Sequence, residues 1–576
     1  MTKKFQNSSN PNIFFIGILC STVLQFSFSY YIPIQFIPAP HDDLLFYRLA
    51  ENIANLKWLG VFDQTTLIKG FSYPLFLSTS IFFNFPLRLL EACLICIASF
   101  YFVMSVRKMI PNSFLSVALY AVIIFYPFQY SLIDFRLLRD MIYFPLILII
   151  ISALFFIYHE ASNKTNGRLS RFFHPAILGI TFFFFWHARE EGIWVVPTLL
   201  FFSFFICCKY LQEKNIGVLF KKIMVVILVF GLFQSILVGL NTYKYRIIVV
   251  TILKNSNFQS GYASLHRIDS TKSWYEDISK QDWDALFLAS PAVAELRPFV
   301  EGEGYRFWTN ITCDAMRSQG YSLEQTRCPD AMPPGNVQFA LMDALFQIGY
   351  RKPADISQYM AKVTLEIDSA CESKKLKCKS KPPFMLSRNI LEEGIPPSVL
   401  WANVWRATHL TAIPESISLS EFSSYFDLNM VPKMREKLGG YLFNPKSVAV
   451  LGGAEKLHES GLTQFFISSH PRVERIYTFI THLYSWFMAI SWVFLIPAMY
   501  LIYKSRAPLG ILISGFLILF ASRILLISIL DYYAMAPISS SYLMSGTSAL
   551  FVAEVLSIVY LIGYLVKQRN SNPQFS

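Results

Sequence analysis

An acid pair and a lysine stand at the mouth of the first hydrophobic segment of this chain. Asp42 and Asp43 follow an apolar run and its proline-rich exit, IPIQFIPAP, and Lys69 comes 27 residues later, just before another apolar run. A positioned carboxylate can take a proton from an attacking hydroxyl group, and a lysine can hold a phosphate. These residue types suit group transfer from a phosphate-linked donor, provided that the fold brings them together.

Two later stretches carry charges of the same kind at the ends of apolar runs. The sequence IDFRLLRD supplies Asp134, Arg136 and Arg139, and the sequence WHAREEG supplies Arg189 and Glu190. Guanidinium groups bind phosphate with two parallel hydrogen bonds, which suits them to a lipid-linked phosphate at headgroup depth. We therefore predict that all five residues contribute to substrate binding.

Structural roles compete with each of these interpretations. The acid pair can simply begin the helix predicted over LLFYRLAENIANL, because acids complement the helix dipole there. Arg136 and Arg139 can pair with Asp140, Arg189 can pair with the glutamates that follow it, and His187 is expected to be structural. The recurrence of the pattern in separate loops favours the functional interpretation.

The composition of the chain indicates whether these residues belong to a soluble protein or to a membrane protein. The chain is 54% hydrophobic and 15% charged, with a mean hydropathy of +0.42, whereas soluble domains are about a quarter charged. This predicts a mainly α, polytopic membrane protein. The net charge of +12 does not indicate nucleic-acid binding, because the basic residues mostly lie in short loops beside apolar runs.

About ten transmembrane helices are predicted from apolar runs that approach the ~20 residues needed to cross a bilayer. The first is too long for a signal-peptide core, so it is interpreted as a retained span. The run 71–85 is short and contains a proline, and is predicted to be interfacial or re-entrant. The predicted spans are 13–33, 86–106, 113–132, 141–159, 173–187, 193–211, 223–241, 478–503, 509–530 and 546–566.

The distribution of basic residues predicts the orientation. With both termini in the cytoplasm, every inner loop is basic, as the positive-inside rule requires. Residues 1–241 then form an N-terminal membrane module, 242–475 a mainly helical periplasmic domain and 476–576 the C-terminal membrane helices. The predicted location is a bacterial inner membrane. The inner basic residues are Lys3, Lys4, Arg107, Lys108, Lys164, Arg168, Arg171, Lys209, Lys214, Lys221, Lys222, Lys504, Arg506, Lys567 and Arg569.

The cysteines agree with an external central segment, defined as residues 242–475. Four of the nine lie there, Cys313 with Cys328 and Cys371 with Cys378, and an even number in an oxidising compartment favours disulfides. Local pairing, 313 with 328 and 371 with 378, is favoured among three connectivities. Zinc binding is the alternative, although no Cys-x-x-Cys spacing or neighbouring histidine supports it.

The order of these motifs resembles the GT-C superfamily of membrane glycosyltransferases. It is most similar to the branch of the protein O-mannosyltransferases and the lipid A aminoarabinose transferases, whose first external loop opens with Asp-Glu and later has a Lys-Pro-type motif. Here HDDLLFYRLAE and KGFSYPLFL take these positions, with Asp43 in place of Glu and the proline delayed to Pro74. The late ISSSYLMSG lacks the arginine and proline of the family's Arg-Tyr-Leu-x-Pro motif, so nothing is carried over from it.

The resemblance implies a GT-C-like fold and an activity. Asp42 matches the catalytic aspartate, Asp43 the acid after it, Lys69 the lysine near the donor phosphate, and Asp134 an acid of the second external loop. The implied reaction is inverting transfer of a sugar from a polyprenyl-phosphate-linked donor to a periplasmic lipid, glycan or protein. No cofactor or metal ligand set is predicted, although some relatives bind a divalent metal.

Two alternatives from other classes stay open. A transporter or flippase of lipid-linked sugars would use the ionisable residues inside the spans, which are Glu91, Arg523 and Glu554, as a polar route. A non-catalytic assembly protein would instead use the central segment to bind a partner in the cell envelope.

Overall fold

The structure is a computed structural model that describes most of the chain. The described residues are 11–30, 32, 34, 41–110, 112–126, 136–162, 170–189, 191–269, 277–318, 336–382, 394–414, 461–505, 507–534, 538 and 540–571. The predicted site residues Asp134 and Glu190 lie outside these ranges, as does Cys328, and the side chain of Cys313 is not described.

Helices dominate the described residues, and they are numbered here in chain order. They are α1 (Pro11–Tyr30), α2 (Asp43–Ala54), α3 (Ser72–Phe83), α4 (Leu87–Val106), α5 (Ser113–Ile124), α6 (Asp140–Glu160), α7 (Ser170–Trp186), α8 (Val196–Gln212), α9 (Ile216–Tyr245), α10 (Ser256–Leu265), α11 (Lys280–Ala289), α12 (Pro291–Ala294), α13 (Arg297–Val300), α14 (Glu303–Ser318), α15 (Val337–Gln347), α16 (Pro353–Glu372), α17 (Pro397–Ala412), α18 (Gly461–Ser505), α19 (Leu509–Ala534) and α20 (Ser540–Ser571).

Eight of the described helices are long and apolar enough to cross a membrane, which confirms the predicted mainly α, polytopic class. The predicted number was about ten, and the eight are counted over the described residues. Two of the ten correspond to shorter helices, α5 and the apolar part of α7, and twelve residues of α5 rise only ~18 Å against a ~30 Å hydrocarbon core. The predicted re-entrant run is the short apolar helix α3.

The membrane helices pack around α6. Most of the apolar stretch of this helix, 83%, is buried inside the protein, whereas only 6% of the corresponding stretch of α9 is buried. Helices α4, α7, α8 and α20 all contact α6. An apolar helix that is buried all round belongs to the interior of a bundle, and one that exposes apolar side chains all round suits a lipid environment. Helix α6 therefore lies in the interior of the bundle, whereas α9 has the surface of a lipid-facing helix.

The first loop, residues 41–71, shares one apolar core with the central segment. The backbone amide of Ile252 donates to the carbonyl of Leu67 at 2.8 Å, and the Tyr245 hydroxyl donates to the carbonyl of Gly60 at 3.1 Å. The two parts of the chain are therefore one packed unit. The first loop contributes Leu45, Leu49, Leu59, Leu67, Ile68 and Phe71 to the core.

Two helices run through the predicted domain boundaries. Helix α9 continues past residue 241 to Tyr245, and α18 begins at Gly461, ahead of residue 476. Helix α17, from the central segment, packs on α19 and α20 of the membrane region. The division into three domains stays a prediction, and the described contacts tie the predicted domains closely together.

A disulfide joins Cys371 and Cys378, as the local pairing predicted, with 5.6 Å between the Cα atoms. It closes the end of α16 onto the chain around residues 377–379, which pairs with residues 267–269 through an antiparallel bridge between Ile268 and Cys378. The disulfide thereby links α10 and α16, two helices that pack against each other. The predicted bond between Cys313 and Cys328 lies outside the described residues.

Non-reducing peptide mapping should find Cys371 linked to Cys378 when thiols are alkylated in intact cells before lysis. Replacing both with serine should lower the free energy of unfolding of the central segment by roughly 2–3 kcal/mol, from the lost loop closure. Serine at the membrane residue Cys20 is the control. Free thiols at 371 and 378 in untreated cells would contradict the placement of this segment in an oxidising compartment.

Candidate functional site

The first loop brings its acid and its lysine into direct contact. The ammonium group of Lys69 forms an ion pair with the carboxylate of Asp42. The Asp42 side chain remains 41% exposed, whereas that of Lys69 is 10% exposed. Asp42 directly precedes α2, yet its side chain makes no capping hydrogen bond. The carboxylate therefore faces the lysine and solvent instead of serving as a helix cap.

Gly70 fixes the backbone beside the lysine. A Cβ atom at Gly70 would lie 1.9 Å from the carbonyl oxygen of His187, so only glycine allows this approach. The His187 ring packs against Phe71, and its Nε2 donates a hydrogen bond of 2.7 Å to the amide oxygen of Gln234. Burial lowers the pKa of His187 to about 4, which keeps it neutral. His187 thus has the structural surroundings expected of it, and the Lys-Gly-Phe sequence fastens the first loop to the end of α7.

The second acid of the pair has a different environment. Asp43 is fully buried and receives hydrogen bonds from the Arg136 guanidinium, with Nε at 3.1 and 3.3 Å from its two oxygens. The backbone amide of Leu137 donates to the same carboxylate at 3.2 Å. Arg136 therefore pairs with Asp43 and not with Asp140. This contact ties the start of α2 to the segment that enters α6.

A second group of ion pairs lies at the junction of α6 and α8. The guanidinium of Arg189 pairs with Asp140, the first residue of α6, and its Nε lies 3.0 Å from Glu191. Burial acts to raise the pKa of Glu191, but Arg189, Arg523 and Arg139 together lower it to about 2. The carboxylate is therefore ionised at neutral pH, and Arg189 is held by two acids.

Arg523 is a cation of this site that the sequence interpretation assigned elsewhere. It lies in α19, is fully buried, and donates from Nε to the carbonyl of Tyr542 at 2.9 Å. Its Nη1 and Nη2 have no hydrogen-bond partner among the described residues. Its guanidinium lies 5.3 Å from the Trp194 ring, and that of Arg189 lies 5.5 Å from the Tyr542 ring. Tyr542 belongs to the ISSSYLMSG stretch, which matched no motif.

The two groups of charges form one electrostatic unit. Arg139 acts on Asp42 in the first group and on Glu191 in the second. Burial acts to raise the pKa of Asp42, but Lys69, Arg136 and Arg139 outweigh it and hold the pKa below its ordinary value of 3.8. Five cations and four acids from five separate parts of the chain thus meet at one end of the bundle. The set is Asp42, Asp43, Lys69, Arg136, Arg139, Asp140, Arg189, Glu191 and Arg523.

Glu91 and Glu554, the other two acids predicted inside the spans, have neighbours outside this set of nine residues. Glu91 pairs with Arg88 one turn away on the same helix, at 2.7 Å, and both side chains are buried. Glu554 is buried in α20, beside Tyr126. Within the described ranges, no group of three or more His, Cys, Asp or Glu side chains is placed to hold a metal ion.

Comparison with known proteins adds little to this description. No protein-family model and no curated protein matches the chain. Among solved structures, the chain is similar to the crystal structure of ArnT from Cupriavidus metallidurans bound to undecaprenyl phosphate, with 10% identity and a TM-score of 0.30 over 96% of this chain and 78% of the other.

The two adjacent acids should differ in their effect on stability. Asp43→Asn leaves the Arg136 guanidinium without a counter-charge in a buried site, so it should destabilise the protein by about 3 kcal/mol and lower the melting temperature by several degrees. Asp42→Asn should lower the melting temperature less, because that side chain is partly exposed and an amide oxygen there can still accept a hydrogen bond from Lys69. Thermal unfolding followed by tryptophan fluorescence measures both.

A double variant, Asp43→Leu with Arg136→Met, tests the cause of this difference. Replacing both members of a buried ion pair with apolar side chains removes the unpaired charge, so the double variant should melt above Asp43→Asn. Equal melting temperatures of Asp43→Asn and the wild type would show that the pair does not join α2 to α6.

Proposed function

We propose that this protein is an inverting glycosyltransferase of a bacterial inner membrane. It moves a sugar from a polyprenyl-phosphate-linked donor to a periplasmic acceptor, a lipid, polysaccharide or protein of the cell envelope. The observation that carries the proposal is the partly exposed Asp42, paired with Lys69 and surrounded by arginines from other elements, at one end of a bundle of membrane-length helices. The central segment and both chain termini take the periplasmic and cytoplasmic positions that the basic loops predict.

In the proposed reaction, the acceptor hydroxyl oxygen attacks the anomeric carbon of the donor sugar. The bond between that carbon and the phosphate oxygen breaks, and the oxygen keeps the electron pair. The acceptor proton passes to Asp42 and then to water. Because the leaving polyprenyl phosphate gains one negative charge, cations near its oxygens stabilise the transition state more than the ground state.

The described contacts suggest how the cations divide this work. Lys69 is already paired with Asp42, so a donor phosphate that draws Lys69 away would also raise the pKa of Asp42 and make it a stronger base. Arg189 is held by two acids. Arg523, with two terminal nitrogens lacking partners among the described residues, offers the paired donors that a phosphate accepts. Asp43 and Arg136 hold the loop in place.

Asp42→Asn should slow sugar transfer by roughly 10²–10⁴-fold, because the amide cannot take the acceptor proton. The product is first identified by mass spectrometry of envelope glycans from cells with and without the gene. Transfer rates of the purified variants to that acceptor then give the measurement. Asp284→Asn, an exposed carboxylate on α11, is the matched control, and wild-type transfer by Asp42→Asn would exclude Asp42 from the chemistry.

Lys69→Met should move the acid limb of kcat/KM to higher pH. Activity that requires ionised Asp42 is present above its pKa and is lost as the pH falls through that pKa. Lys69 lowers this pKa, whereas burial acts to raise it, so removal of the lysine lets Asp42 become protonated at a higher pH. Lys69→Arg keeps the charge and should leave the limb in place; an acid limb that does not move in Lys69→Met would separate the lysine from the base.

A further inference from the structure

A cleft with aromatic walls lies between the first loop and the central segment. Its volume is about 440 Å³, within the range of small-molecule sites. Rings of Phe299, Phe307, Trp308 and Phe346 line it, and the Phe307 side chain is 50% exposed. The polar lining comes from Gln64, Asp343, Gln347 and Arg351. These eight residues and Gly304 are called the aromatic cleft below.

The walls of the aromatic cleft are held in place by their neighbours. The Trp308 indole donates to Asp343 at 2.8 Å, and the Phe346 ring lies 5.5 Å from the Phe62 ring of the first loop. Gly304 also belongs to the wall, and a Cβ atom there would lie 2.4 Å from the Phe299 ring. Trp308 and Phe346 are therefore held in place before any ligand arrives, which reduces the entropy lost on binding.

Gln64 enters the cleft from a rigid turn of the first loop. Its neighbour Asp63 forms an ion pair with Arg48 at 2.6 Å and accepts hydrogen bonds from the backbone amide of Thr65 and the hydroxyl of Thr66, at 2.9 and 2.8 Å. The amide group of Gln64 is thereby presented by a fixed backbone and can donate and accept hydrogen bonds.

The aromatic cleft adjoins the proposed catalytic residue through one side chain. The ring of His41, which directly precedes Asp42 in the chain, lies 4.8 Å from the Trp308 ring and 5.5 Å from the Phe339 ring. Burial lowers the pKa of His41 to about 4, with Lys69 adding to the effect, so the ring is neutral at pH 7. Trp308, a wall of the cleft, thus contacts the residue that directly precedes Asp42 in the chain.

We propose that the aromatic cleft binds a carbohydrate chain and that this chain is the acceptor of the transferred sugar. One face of a sugar ring presents C–H groups, which pack on the electron-rich face of an aromatic ring, while its hydroxyl groups bond to amide, carboxylate and guanidinium groups at the edge. The cleft offers both kinds of group within one volume. The role as acceptor rests on the proposed function, whereas carbohydrate binding does not.

Binding to a printed glycan array tests the proposal with the full chain in nanodiscs and no donor present. Wild-type protein should bind a subset of the glycans, and Phe307→Tyr, which keeps the ring, should bind the same subset. Phe307→Leu keeps apolar bulk but loses the ring face. It should raise the dissociation constant of the best glycan about tenfold in solution. Leu365→Ala, 72% exposed on α16, is the control outside the cleft.

The same array separates this proposal from the catalytic one. Asp42→Asn should bind the same glycans as the wild type, since binding needs no base. A protein that binds glycans through Phe307 but shows no loss of activity in Asp42→Asn would retain the carbohydrate site and reject the proposed chemistry. Equal affinity of Phe307→Leu and wild type, binding of no glycan, or displacement of the glycan by a serine-containing peptide at lower concentration would overturn the carbohydrate proposal.

Discussion

The shared apolar core of the first loop and the central segment sets the geometry of everything at this end of the molecule. Ordering each residue of a loop costs about 1–2 kcal/mol of backbone entropy. A loop of some thirty residues therefore cannot hold its acid pair and its lysine in fixed positions without contacts to the rest of the protein. Here Leu45, Leu67 and Phe71 are buried among residues of the central segment. The polar residues of the loop are thus positioned by apolar neighbours on either side of them in sequence.

Because the loop is held in this way, the two adjacent acids can have different roles. Asp42 precedes α2 with a non-helical backbone and Asp43 is the first residue of the helix, so the two side chains leave the chain in different directions. Asp43 points inward to Arg136 and joins the loop to the start of α6, while Asp42 stays partly exposed beside Lys69. One acid supplies the anchor, and its neighbour is left available to an incoming hydroxyl group.

Local pattern was sufficient to predict the helical membrane class and the disulfide between Cys371 and Cys378, and it singled out the acid and the lysine that the first loop brings into contact. These depend on apolar run length, on residue type and on a short loop closure, all of which are visible in a single sequence. Where a helix ends is less predictable, because an apolar run such as 113–132 contains no signal for the end of α5 at Ile124. Arg523 and Tyr542 were missed because their proximity to Arg189 arises from packing of α19 and α20 against the rest of the bundle, over more than 300 residues of chain.

Of the two partners of Arg189, Glu191 was predictable from the sequence and Asp140 was not. Sequence proximity indicated a partner among the glutamates after Arg189, and Glu191 is one. The other partner, Asp140, lies 49 residues away. Its position in the sequence suggested a partner in Arg136 or Arg139, and only the packing of α6 beside the end of α7 shows the actual contact.

The buried guanidinium of Arg523 also has a consequence for the biogenesis of the protein. An arginine at the centre of an isolated helix opposes its insertion by about 2.5–3.5 kcal/mol, and α19 carries this cost when it leaves the translocon. The groups that can relieve it are the carbonyl of Tyr542, which is synthesised later, and the acids around Arg189, which are synthesised much earlier. Helix α19 therefore depends on helices already in the membrane to accept it, and the set of nine charged residues is complete only after α19 has been inserted.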